Sequence, residues 1–217
     1  MELLHARIRI KLHALQPGEG TPLLLLHALG EHGRAWLPAE LGWSGPVHGL
    51  DLAGHGVSGR LHGGAYSPEL WAADADIALA ELGSAVLLGA GVGAYAALLL
   101  AGARPEAVRA VVMMGGAGLD GSGPLPDFAA SFDSTLESTR TTAPARELLE
   151  TPQLDRATAF SELGVRPPDY SDGFARAAQR VLLIEDDSPR PPWWQSLREV
   201  EGVVRHRGPV AEALARL

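Results

Sequence analysis

Six short apolar runs, separated by stretches that read as helix, constrain this chain more than any other feature. Leu23–Leu26 is four leucines in a row, and Val47–Asp51, Ala85–Ala90, Val108–Met114 and Val181–Glu185 are similarly short, with Val203–His206 as a possible sixth. Runs of this length without alternation are the pattern of strands buried on both faces, and helices between them supply the crossovers that parallel pairing requires. Arg7–Leu15 differs, alternating like an exposed strand before the turn signal Gln16-Pro17-Gly18-Glu19-Gly20. Ser67 reads as an N-cap and Pro68 as the first position of a helix that runs to Leu82 and stops at Gly83. Gly93–Ala103 reads as the helix behind the third buried strand, and Pro209–Leu217 as a short amphipathic helix closing the chain.

A length of 217 residues suits one domain with a real core, and 46% hydrophobic with 20% charged residues is an ordinary globular balance. The formal net charge of −8, with Lys11 the only lysine and the arginines scattered, excludes a general nucleic-acid binder, which needs clustered cations. The bias toward Ala, Gly, Leu, Pro and Arg is that of a GC-rich bacterial genome. Cysteine is absent, which removes disulfides, thiolate nucleophiles and Cys-ligated zinc. The opening MELLHARIRIKLHAL has no apolar run leading to a small-residue cleavage site, and Ala94–Ala101 is too short to span a bilayer. A cytoplasmic protein without a membrane partner is the expectation.

Residues 117–178 have a different character, rich in Pro, Ser, Thr and Asp, with only short helical patches such as Ala145–Leu149 and Phe174–Gln179. They read as a short cap inserted into a core made of residues 1–116 and 179–217.

The chemistry should lie around Val86-Leu87-Leu88-Gly89-Ala90-Gly91-Val92-Gly93-Ala94-Tyr95-Ala96-Ala97. A buried strand runs through a very tight turn directly into a helix, and small residues at 89, 91 and 93 let the two approach closely. This is the geometry of a nucleophile elbow, which lifts residue 91 above the sheet at a helix N-terminus whose free N–H groups suit an anion or a carbonyl oxygen.

Three blocks, in order, make the chain resemble the α/β-hydrolase superfamily. Leu23-Leu24-Leu25-Leu26-His27-Ala28-Leu29-Gly30 resembles the strand and turn that carry one oxyanion-hole amide. Asp51-Leu52-Ala53-Gly54-His55-Gly56-Val57-Ser58-Gly59 resembles the family's D-x-x-G-H-G-x-S-x turn. Val86–Gly93 with Arg104–Arg109 resembles the elbow, its helix and the lead-in to the next strand. The resemblance implies an α/β-hydrolase fold, a mostly parallel central sheet flanked by helices. It places a nucleophile, usually Ser and sometimes Asp or Cys, at position 91, where this sequence has Gly91, with Ala90 where His is common. Glycine cannot attack a carbonyl, and loss of a triad serine costs roughly a millionfold in rate. By the same resemblance Asp187, with Asp186 next, is the candidate for the late acid, and His206 for the late histidine. The loop Val204-Arg205-His206-Arg207-Gly208-Pro209 is shorter than the family's and lacks its Gly-His pair, so His206 can instead lie on the strand and point away. Ala28, Leu29, Gly91 and Val92 are the candidate ligand-binding positions, Leu29 and Val92 through their amides.

Other side chains have plainer readings. Asp51, His55 and Ser58 on one turn read as turn-stabilising hydrogen-bonders, and His27 as the residue that orients the oxyanion turn. Trp193 and Trp194 read as a packed helix start, Trp36 and Trp43 as core. No H-x-x-x-H or H-E-x-x-H pair and no G-x-x-x-x-G-K-[ST] loop occurs, and the G-x-G-x-x-G spacing fails at Ala94, so neither metal nor cofactor is expected. Three functions stay open. One is a non-catalytic homologue that binds a small organic ligand through its carbonyl or carboxylate. Another is an enzyme using His206 and Asp187 on water or a substrate proton. The third is an interaction module whose pocket is filled by side chains.

Overall fold

The computed structural model describes residues 1–36, 38–62, 65–120, 153–155, 157–158, 161 and 164–217. The strands are β1 (Glu2–His5), β2 (Ile8–Gln16), β3 (Leu23–Leu26), β4 (Val47–Asp51), β5 (His55–Gly56), β6 (Ala85–Ala90), β7 (Val108–Met114), β8 (Gln153–Leu154), β9 (Val181–Glu185) and β10 (Val203–Arg207). The helices are α1 (Pro38–Leu41), α2 (Pro68–Leu82), α3 (Val92–Ala103), α4 (Pro168–Ala177), α5 (Pro192–Leu197) and α6 (Val210–Leu214). Eight strands form one sheet in the order β1-β2-β4-β3-β6-β7-β9-β10, while β5 and β8 pair separately. Strands β1, β2 and β4 are joined antiparallel, and every pair from β4 to β10 is parallel.

The apolar runs explain this arrangement. All residues of β3 and β6 are buried, because both sheet faces are covered. Leu24 and Leu26 join the core under α2 and α3, whereas Leu23 and Leu25 join a second core with Leu41, Ala213 and Leu214 from α1 and α6. Helix α2 starts where Ser67 accepts a hydrogen bond from the Leu70 amide, and it stops at Gly83, whose φ is 75°. Residues 92–101 of α3 are all buried, as befits a helix sandwiched between the sheet and α2 and α4.

Two differences from the sequence reading concern edges. Strand β1 was not anticipated: four residues are too few for a period, and it forms only because β2 offers an antiparallel edge across a turn with Ala6 at φ 53°. Helix α4 begins at Pro168, ahead of the patch expected at 174–179, and packs on α3 and α5. It thus supplies a helical crossover between the parallel strands β7 and β9, so residues 168–177 sit in the helical cover of the sheet. The patch expected at Ala145–Leu149 lies outside the described residues. Trp193 and Trp194 are buried in α5, and Trp36 and Trp43 pack against the second core. Among the described residues no helix is long and apolar enough to cross a membrane.

Candidate functional site

The chain leaves β4 to one side of β3 and returns through β6 on the other, so the carboxyl ends of β3 and β6 form a topological switch point, where open α/β sheets bind ligands. At that point β6 turns into α3 across Gly91. An added Cβ at Gly89 would overlap the backbone of Gly93 and Ala94, and one at Gly93 would overlap the carbonyls of Leu26 and His27. Small residues are therefore what allow α3 to start so close to the sheet. Gly91 itself has φ 55° and ψ −124°, a backbone state that side-chain-bearing residues rarely hold.

The space above Gly91 is occupied by the chain itself. Strand β7 ends at Met114, whose carbonyl accepts the Gly91 amide at 3.1 Å, and Gly115–Gly118 then folds across the elbow. The carbonyl oxygen of Ala117 accepts the Leu29 amide at 3.1 Å and the Val92 amide at 3.0 Å. Two convergent N–H donors on one oxygen, one at a helix N-terminus, is the arrangement of an oxyanion hole, here holding a main-chain carbonyl. A Cβ on residue 91 would overlap that same Ala117 oxygen, and one on Gly116 would crowd the Gly91 backbone and the Ala28 methyl. The next anchor is Leu119, whose carbonyl accepts the Trp193 indole N–H at 3.0 Å and a hydrogen bond from the Arg166 guanidinium. Of the expected positions, then, Ala28, Leu29, Gly91 and Val92 are brought together. Ala117 was missed by the sequence reading, since a main-chain oxygen has no residue signature; the glycines around it were the only trace.

His206 and Asp187 are not brought together. His206 sits within β10, opposite Ile184 of β9, on the sheet face covered by α6, whereas α3 packs on the other face. It is buried, and its Nε2 lies 3.2 Å from the Pro209 carbonyl. Asp187 is exposed and paired with Arg207 at 2.7 Å, and Asp186 pairs with Arg190 at 2.9 Å. Arg190 is buried, stacks on Trp194 at 5.1 Å and lies against Gly115.

Behind the elbow the residues of the 51–59 turn form a buried frame. Asp51 accepts hydrogen bonds from the amides of Gly33 (2.7 Å) and Val57 (2.8 Å) and lies 3.0 Å from His13 Nε2. Burial pushes its carboxyl up, but these partners outweigh burial and hold it below the usual range. The Ser58 hydroxyl donates to the Asp51 carbonyl at 2.5 Å and accepts the Lys11 amide at 2.8 Å. His27 donates from Nδ1 to the Ala28 carbonyl (2.8 Å) and accepts the Leu52 amide on Nε2 (3.1 Å), which fixes a neutral tautomer. Burial lowers it to about 4, and burial likewise holds His55, whose ring centroid is 4.8 Å away, well below the usual histidine value. His27 braces the oxyanion turn and His55 bonds the Ala53 carbonyl of its own turn at 3.2 Å, and neither ring turns a nitrogen to solvent.

An elbow at the switch point, two converging amides and a β4 turn joined to the β3 turn through Asp51–Gly33 and His27–Leu52 define the class of protein as one built on the hydrolase elbow. Residues 23–214 match the alpha/beta hydrolase family, and the chain belongs to it. It is 30% identical over 211 residues to a 2-hydroxymuconate semialdehyde hydrolase from Pseudomonas sp. (strain CF600), covering 94% of this chain and 71% of that protein. Among solved structures it is similar to the N-formylmaleamic acid deformylase of Pseudomonas putida S16, with a TM-score of 0.70 at 18% identity, covering 95% of this chain and 91% of the other. It is also similar to the bottromycin epimerase BotH in complex with bottromycin A2, with a TM-score of 0.64 at 19% identity, covering 100% and 96% of the two chains. At such identities these structural likenesses speak for the fold.

Proposed function

We propose that this protein is a hydrolase-fold member that has given up covalent catalysis and works as a non-catalytic or small-molecule-binding homologue. The observation that carries this reading is the Ala117 carbonyl, which takes both oxyanion-hole amides and the space a nucleophile side chain would need. Gly91 offers no attacking atom, and His206, on the far face of the sheet, offers no base to the elbow. A relative of the same fold carries the name of an epimerase, which supports a use of this fold other than hydrolysis. For a ligand carbonyl or carboxylate to reach the Leu29 and Val92 amides, the 115–118 turn must swing away.

Intact-mass measurement after exposure to a fluorophosphonate probe tests the reading, on the natural chain and on Gly91→Ser. Neither is expected to gain an adduct, because a serine there meets the Ala117 carbonyl and has no base. An adduct on the natural chain would place a nucleophile elsewhere and overturn the proposal. An adduct on Gly91→Ser alone would mean that hole and base both assemble, and that the change at position 91 alone silenced the enzyme.

A further inference from the structure

The turn seated over the elbow has the build of a removable occupant. It lies between two fixed points, the Met114 carbonyl that accepts the Gly91 amide and the Leu119 carbonyl held by the Trp193 indole and by Arg166. Between them run Gly115-Gly116-Ala117-Gly118. Gly116 at φ 156° and Gly118 at φ 81° hold backbone states that residues with side chains rarely adopt. Gly116 and Ala117 are exposed, so the turn faces solvent on its outer side. Leu29 and Val92 are buried beneath it, with both their amides on the Ala117 carbonyl.

The turn holds the elbow through main-chain oxygen. Three of its four residues have no side chain, and the fourth is an exposed alanine, so little apolar burial opposes its lifting. What opposes lifting is the amide pair, which would be left buried and unmatched. An oxygen arriving from outside removes that cost. A carboxylate is the better replacement, because it brings a full charge to the start of α3, a helix of 12 residues, where a main-chain carbonyl brings only a partial one.

We propose that the 115–118 turn is an autoinhibitory plug, with the chain's own Ala117 carbonyl occupying the Leu29 and Val92 amides until a ligand carboxylate takes its place. The proposal rests on the reading of the elbow as a silent ligand-binding site and adds how that site is regulated. Apparent affinity is then the intrinsic affinity scaled down by the fraction of molecules with the turn lifted. A substitution that spoils the closed turn therefore tightens ligand binding, the opposite of what damage to a binding site does. Gly116 is the place for it. A Cβ there would stand 2.9 Å from the Gly91 nitrogen and 3.2 Å from the Ala28 methyl, contacts that belong to the closed turn.

Amide NMR of the full chain provides the test, with acetate as the probe and chloride at equal ionic strength as the control. In the natural chain the Leu29 and Val92 amides are expected to exchange hydrogen with matching opening free energies, well before global unfolding exposes the amides of β6. Acetate should shift both signals saturably, and chloride should not. Gly116→Ala should bind acetate about tenfold more tightly than the natural chain. Exchange of the two amides only on global unfolding would make the turn a permanent part of the fold and overturn the plug. Acetate affinity unchanged or weakened in Gly116→Ala would overturn it too, as would equal shifts with chloride. The exchange measurement needs no variant, so it decides the matter even if Gly116→Ala does not fold. A fluorophosphonate adduct on the natural chain would overturn the reading of the elbow and leave the exchange result standing, whereas late exchange would overturn the plug and leave the reading of a non-covalent elbow intact.

Discussion

At Gly91 two penalties meet on one residue. A side chain there would have to hold φ 55°, ψ −124° and displace the Ala117 carbonyl at once. Gly91→Ala should therefore cost about 1–3 kcal/mol through strain and overpacking, read as a lower urea midpoint at unchanged slope. A neutral or stabilising effect would mean that the 115–118 turn yields freely. The buried histidines give a residue-scale prediction of opposite character. His27 has its folded value depressed from 6.5 to about 4, chiefly by burial. Its contribution to stability is thus complete above pH 6.5 and lost as pH falls toward 4, worth about 3 kcal/mol across that window. Asp74, pushed up to about 6 by burial despite the Ala53 amide and His5, acts in the reverse sense. Its stabilisation is present below its unfolded value and lost as pH rises through 6. Urea midpoints across pH 4–7 should then fall more steeply on acidification in the natural chain than in His27→Gln, and parallel profiles would contradict the assignment.

Elements were legible where the local signal and the tertiary role agreed. Strands β3, β4, β6, β7 and β9 have the limits that their apolar runs predict, because burial on both faces keeps them mostly apolar, with His48 in β4 and Arg109 in β7 the polar residues inside. Helix α2 runs from Pro68 to Leu82, as the Ser67-Pro68 start and the Gly83 stop indicate. The cap bond, Leu70 amide to Ser67 hydroxyl at 3.3 Å, carries its own prediction: Ser67→Ala should lower stability by about 1 kcal/mol in denaturant titration. A shift below a few tenths would mean that water caps the helix equally well. Illegible elements were those that borrow a partner. Strand β1 depends on the edge of β2, β5 on two residues of β8, and the early start of α4 on the surfaces of α3 and α5.

Over the whole molecule the fold could be read and the site only by half. Alternating runs and three ordered motifs are enough for an α/β-hydrolase sheet, because strand order follows from crossovers and from the switch point. They were also enough to gather Ala28, Leu29, Gly91 and Val92 at one place. What no motif encodes is which face His206 takes, a matter of one residue of parity along β10, or that a carbonyl 26 residues beyond the elbow would come to rest in its amide pair. Gly115, Gly116 and Gly118 permit that turn without announcing it.

The seated carbonyl also bears on how such a chain can change. A serine introduced at position 91 collides with Ala117, and a displaced Ala117 leaves two buried amides without an acceptor. Each single step is therefore worse than the present state, and His206 would still lie on the far face of the sheet. On the reading proposed above, the way to a side chain at the elbow crosses a valley rather than a slope, because residue 91 and the turn seated over it have to change together.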